Sequence, residues 1–254
     1  MLWAFGGGTM TTGLDAFKLK VLAMGLMLLD HIYYFIPGTP IWFTWLGRTV
    51  APIFLFFVVE GFYHTRSRLR YTLRMFMWAG IMFAGTRVIM HRFPPVHTPI
   101  VNNIFLSLAL SLCLMSVIEW TRATGNRGLG VPAAIAVGFL SLFSEASLYG
   151  IGLTLVFYLF RGERRRMSVA YVLVSLAMWL PLSLPPVGPG ISLEQLLYRN
   201  YQWMMVFSIP FILMYNGQRG PKNNFTKYLF YAFYPAHVWA LYLIGRAIAL
   251  DGWR

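Results

Sequence analysis

The chain has 254 residues, of which 58% are hydrophobic, 17% aromatic and only 11% charged, and its 21 Lys and Arg against 8 Asp and Glu give a net charge of +13. A soluble globule carries about a quarter charged residues, so this composition excludes one and points to an integral membrane protein. The single cysteine, Cys113, lies in an apolar run, which excludes a disulfide framework, a cysteine-based zinc site and a thiol relay.

Residues 1–16 read as a flexible N-terminal tail. They hold no basic stretch ahead of an apolar one, and no small-residue cleavage site follows, so a retained first helix is expected in place of a cleaved signal peptide. Crossing lipid takes about 20 apolar residues per helix. In chain order the expected spans are 17–36, 41–64, 73–89, 104–118, 131–143, 148–160, 169–184, 201–214 and 227–250. The fifth and sixth are short and joined by Ser144-Glu145-Ala146-Ser147, which suits two short spans or one re-entrant hairpin. Pro52 and Pro235 are expected to kink the second and last spans. The fold expected is all-α, a polytopic membrane helical bundle of about nine transmembrane helices, with residues 17–254 as one domain.

Short loops rich in Lys and Arg stay in the cytoplasm. With the N-terminus inside, the inner segments collect Lys18 and Lys20, then Arg66, Arg68, Arg70 and Arg74, then Arg122 and Arg127. Arg161, Arg164, Arg165 and Arg166 follow, and finally Arg219, Lys222 and Lys227. The alternation holds at every loop and places the C-terminus outside. Because the basic residues are spread over loops, the charge sets topology and does not mark a nucleic-acid surface.

Ionisable side chains inside a span are costly and by default functional. Here they are Asp30, His31, Arg48, Glu60, Arg87 and His237, with Asn102, Asn103 and Asn216 near span ends. A rise of about 1.5 Å per residue puts His31, Arg87 and His237 roughly 15–20 Å above the inner basic residues, Arg48 at about 27 Å and Glu60 at about 9 Å. Several of these groups therefore share a layer in the outer half of the membrane. Lys20 and His31, eleven residues apart, fall on one helical stripe about 16 Å apart. That spacing suits a long ligand with an anionic head and a reactive far end, although a lysine beside a first helix and a satisfied bundle histidine would look the same.

Asp30 cannot face its own neighbour His31 on a helix, so its partner is expected on another helix, Arg48 or Arg87. Glu60 and His64 form an i, i+4 pair ahead of an arginine cluster that reads either as a topology signal or as a phosphate-gathering group. His91 and His97 in the outer loop lack metal-ligand spacing, and no metal site is expected.

Four stretches carry a family resemblance. They are Lys20-Val-Leu-Ala-Met-Gly-Leu-Met-Leu-Leu-Asp30-His31; Leu46-Gly47-Arg48 through Pro52 to Glu60-Gly61-Phe62 and on to His64 and Arg66; Asn102-Asn103-Ile-Phe-Leu-Ser-Leu; and Tyr215-Asn216-Gly217-Gln-Arg219-Gly220-Pro-Lys222 followed by Lys227 to Tyr234-Pro235-Ala236-His237. In these the chain resembles the TraX family of integral membrane acetyltransferases, whose founding activity is acetylation of a pilin N-terminal amine. The resemblance implies a bacterial inner-membrane, multi-pass enzyme with acetyl-CoA as donor substrate and no metal. The acceptor would be a pilin-like protein or a glycan, presented outside the cytoplasm.

It further implies that Lys20 and His31 are the core pair; with them, Asp30 and His237 are expected to be catalytic beside His31, and Arg66 and Arg68 to bind coenzyme A beside Lys20. Arg48, Glu60, Asn103 and Arg87 would bind the acceptor or the developing oxyanion. Many relatives in the wider superfamily have Arg where this chain has Lys20. The other function classes compatible with the residues are a small transporter or flippase for an anionic substrate and a scaffold for envelope assembly. Acyl-CoA, lipid and a second copy of the chain are the remaining expected partners.

Overall fold

The structure is a computed structural model that describes residues 13–177 and 201–251. Within them every named element is helical, and the sole β-type pairing is an isolated bridge between Leu14 and Tyr215. Helix α1 (Ala16–Phe35) starts at Asp15, whose carboxylate accepts the Lys18 N–H at 2.8 Å, and stops at Ile36, which is pushed to extended geometry by the proline that follows. Helices α2 (Trp42–Gly47) and α3 (Val50–His64) divide what the sequence suggests is one kinked span. Pro52 explains the break: its ring would clash with the Arg48 carbonyl four residues back, so the chain interrupts the helix there and leaves Pro52 in a first turn, where no N–H is needed.

Helix α4 (Arg68–Arg92) is capped by Ser67 and ends ahead of Pro94 and Pro95. Helix α5 (Ile104–Thr124) closes on Gly125 in the left-handed region, and α6 (Arg127–Ser141) opens on the Asn126 side chain. Then come α7 (Ser147–Leu159), α8 (Arg164–Ala177), a 3₁₀ helix (Tyr201–Ser208), α9 (Ile209–Leu213) and α10 (Asn224–Asp251).

Among the described residues three stretches are long and apolar enough to cross a membrane: Trp42–His64, Arg68–Arg92 and Ile104–Thr124. The other expected spans are helical where described; the seventh runs beyond residue 177, outside the described residues. Helix α3 is buried on nearly all sides, by Val50, Ile53, Leu55, Val58, Val59 and Phe62 among others, and packs against α1, α5 and α7. It is the central column. By contrast α4 leaves Leu69, Leu73, Met77, Ile81, Phe83 and Val88 exposed, an outer apolar face suited to lipid.

Two close approaches position the polar residues. Helix α2 crosses α1 at Gly47, where any Cβ would collide with the Asp30 side chain. The last residues of the expected N-terminal tail are also part of the fold. Leu14 N–H donates to the Met214 carbonyl at 2.9 Å, Asn216 N–H to the Leu14 carbonyl at 3.1 Å, and Ala16 N–H to the Gln218 carbonyl at 2.8 Å. Gly220, at φ +80°, closes this junction where a side chain would press on Asp15 and Phe17. The junction sets the start of α1, and so Lys20, beside Arg219.

Candidate active site

His31 on α1 and His237 on α10 are both buried, and their rings meet with Nδ1 of His31 2.7 Å from Nε2 of His237. His237 Nδ1 lies 2.6 Å from the Phe233 carbonyl oxygen. A carbonyl can only accept, so the proton is on His237 Nδ1, and in a neutral ring Nε2 is then an acceptor. His31 Nδ1 must donate to it. The consequence is that His31 Nε2 keeps its lone pair, which is the form a general base requires.

Pro235 frees the carbonyl of Tyr231, four residues back, yet the one that orients His237 is that of Phe233. Phe233 also stacks on the His237 ring at 4.4 Å, and Tyr234 meets both histidines edge-on at 6.0 and 5.8 Å.

Asp30 does reach another helix. Arg48 Nη2 donates to its two oxygens at 2.7 and 3.0 Å, and Thr44 Oγ1 donates to Oδ1 at 2.6 Å. The guanidinium also bonds the Thr44 hydroxyl and carbonyl and lies 5.6 Å from the Tyr201 ring. Arg48 thereby ties α1 to the α2–α3 break, one residue along the chain from the base.

A cavity of about 570 Å³ opens where α1, α4 and α10 begin and α3 ends, and it reaches Tyr234, the neighbour of the two histidines, which do not themselves line it. Its outer part is lined by Lys20, His64, Arg74, Arg219 and Lys222, and its inner part by Met27, Ile104, Phe105 and Tyr234. Tyr234 joins the two features, since it both lines the cavity and touches both histidines. The Lys20 ammonium sits over the rings of Phe57 and Phe230 at 5.0 and 5.4 Å and has no carboxylate partner among the described residues. Arg74 Nε donates to the Tyr231 hydroxyl at 3.1 Å. The mouth is therefore strongly cationic, with aromatic faces between the charges.

Other residues expected at the site stand elsewhere. Arg66 is exposed and does not line the cavity. Arg68 turns away, over the Phe62 ring at 4.1 Å and 3.7 Å from Glu119. The helical phase of α4 instead brings Arg74, from the same cluster, to the cavity. Glu60 lines it too, but its carboxylate takes a two-point bond from Arg161 at 2.8 and 3.2 Å, which neutralises it. Asn103 donates to the Ala79 carbonyl at 3.0 Å and is the residue before α5. Arg87 is exposed on the outer face of α4, 5.2 Å from the Phe83 ring, so equal depth did not mean proximity.

Arg219 and Lys222, taken from the sequence as topology signals, are the functional candidates that spacing missed. The glycines of Asn216-Gly217-Gln218-Arg219-Gly220 were the available signal, because they mark a tight return of the chain. Among the described residues no three His, Cys, Asp or Glu side chains converge as metal ligands.

Fold and site together define a helical membrane protein with a cavity that is cationic at its mouth and reaches Tyr234, beside a buried histidine pair. The chain matches the family described as TraX protein over residues 16–245, and it belongs to that family. It is also similar to the probable fimbrial assembly protein FimC, serogroup H1, of Dichelobacter nodosus, with 27% identity over 249 residues that cover 88% of this chain and 93% of that one. No solved structure matches it.

Proposed function

We propose that this protein is an acetyltransferase of the bacterial inner membrane, with nine spans and its N-terminus inside. It moves an acetyl group from cytosolic acetyl-CoA to an acceptor outside the cytoplasm, such as the N-terminus of a pilin. The observation that carries the reading is the cavity: cations at one end and, at the other, Tyr234, whose ring touches both histidines, with Lys20 and His31 about 16 Å apart along α1. Its volume lies within the usual range of ligand sites, about 300–1,000 Å³. A phosphate-bearing head fits Lys20, Arg74, Arg219 and Lys222, and an extended arm carries the thioester toward His31. The family and the fimbrial relative support the pilin side of the proposal.

In the reaction the acceptor amine or hydroxyl attacks the thioester carbonyl and His31 Nε2 takes its proton. As the carbon–sulfur bond breaks, that proton passes to the leaving sulfur and free coenzyme A is released. While His31 is charged, its Nδ1–H bond to His237 Nε2 stabilises the imidazolium and holds the ring in place. Asp30 and Arg48 lie close enough to act electrostatically on the same ring.

The test is transfer from labelled acetyl-CoA by purified protein, wild type against His31→Ala. Transfer is expected to fall by roughly 10²–10⁴-fold, with saturable thermal stabilisation by acetyl-CoA retained. Undiminished transfer by a folded variant removes His31 from the mechanism; no stabilisation by coenzyme A, with substrate flux in liposomes, points to transport.

A further inference from the structure

The histidine pair and the cavity adjoin without meeting. His31 and His237 are 3% and 7% exposed, and neither lines the cavity, whose wall beside them is Tyr234. The Tyr234 ring stands edge-on to both imidazoles and 5.3 Å from the ring of Phe105, which also lines the cavity. Elsewhere around the pair, Phe35 lies against His31 at 6.3 Å and against Tyr242 at 6.0 Å, and the Tyr242 hydroxyl donates to the Phe93 carbonyl at 2.6 Å. Aromatic rings shut the pair in, and the one it shares with the cavity is Tyr234.

Two hydrogen bonds hold that ring. The Tyr234 hydroxyl donates to Glu145 Oε2 at 2.9 Å and accepts the Ile104 N–H at 3.3 Å. Ile104 opens α5, so its amide has no partner within its own helix and is free to serve as an anchor. The hold is local. Both bonds are made by one hydroxyl at the tip of the side chain, so one side-chain rotation breaks them together, and the cavity of about 570 Å³ gives the ring space on its open side. Pro235, the next residue, lacks the N–H that would bond the Tyr231 carbonyl, which leaves the helix ladder interrupted at this point.

We propose that Tyr234 is a gate, which keeps the histidines from the cavity until the acyl arm of the bound donor displaces its ring. The inference rests on the transferase reading for the identity of that arm, and it adds a residue that decides between transfer and hydrolysis. Water in a cavity open to the base would attack the thioester carbonyl and break the carbon–sulfur bond. Its proton would pass through His31 to the leaving sulfur, and the products would be acetic acid and free coenzyme A. A ring that yields only to the bulk of the acyl arm keeps that water out.

The probe is diethyl pyrocarbonate, which acylates neutral imidazoles, with the modified histidines located by peptide mass on the full chain in nanodiscs. His64 lines the cavity mouth and is exposed, so it supplies the internal standard. In wild type His31 and His237 are expected to react at least about tenfold more slowly than His64. Tyr234→Ala should bring both close to the His64 rate, and Tyr234→Phe, which keeps the ring but loses both hydrogen bonds, should fall between. Tyr231→Ala removes another cavity ring from the same helix, one stacked on Trp78 and Phe105, and should leave the pair slow. In parallel, Tyr234→Ala should release labelled acetate from acetyl-CoA without acceptor about tenfold faster than wild type.

Histidines that react at the His64 rate in wild type, that stay equally slow in Tyr234→Ala, or that open as fully in Tyr231→Ala overturn the gate. Should Tyr234→Ala not fold, Tyr234→Phe decides, and a rate unchanged from wild type overturns it. The expected labelling pattern with no acetate released by any variant upholds the gate and overturns the transferase reading, since the labelling needs no donor.

Discussion

At the residue scale the decisive contact joins two histidines 206 positions apart. Each is ambiguous in the sequence, because a lone buried imidazole is as easily a packing residue as a base. The chain from His31 Nδ1 through His237 to the Phe233 carbonyl adds a direction, since with both rings neutral only one proton arrangement satisfies all three groups. In the proposed reaction His237 orients the base. His237→Phe keeps a ring against Phe233 but cannot accept the His31 proton, and it is expected to lower kcat by roughly 10²-fold. His237→Gln, whose amide oxygen can accept, should recover part of the rate. Labelled acetyl transfer measures both, with KM for acetyl-CoA unchanged in each; a His237→Phe variant with wild-type kcat would dismiss the orienting role.

At the scale of elements, the α1–α2 crossing fixes the polar layer. Asp30, Thr44 and Arg48 bond to one another only because Gly47 lets two helix backbones come together. Gly47→Ala is expected to destabilise the protein by about 1–3 kcal/mol through overpacking. Gly80, on the exposed face of α4, has open space around it. There the same change should be neutral or stabilise by up to about 1 kcal/mol, the ordinary helix preference for alanine. Thermal unfolding in one detergent compares the pair, and equal effects at the two positions would contradict the crossing.

At the scale of the whole molecule, cations gather at one end of the cavity, and the topology gives that end its sense. Because Cys113 is the sole cysteine, Cys113→Ser provides a background for labelling. In it, Arg127→Cys at the start of α6 should react with an impermeant maleimide only after the inner face is exposed, whereas His97→Cys in the loop after α4 should react in intact spheroplasts. Both positions are exposed in the structure. Reversed labelling would place the cationic mouth outside and separate it from cytosolic acetyl-CoA.

Much of this protein is written locally in its sequence. A helix satisfies its own backbone within a few residues, so apolar length, caps and prolines determine where each one runs, and basic loops indicate its direction. The Lys20 to His31 stripe is of the same kind, because both residues lie on one helix. What faces what across the bundle is not local. In lipid an apolar helix face gains little by choosing one apolar neighbour over another, so the rotation of each helix is decided by close packing and polar contacts between distant segments. The tertiary structure alone therefore decided that Asp30 pairs with Arg48, that Arg87 points away, and that Arg74, Arg219 and Lys222 line the mouth in place of Arg66 and Arg68. It also brought Glu145, from the junction between α6 and α7, to the hydroxyl of Tyr234, whose ring touches both histidines.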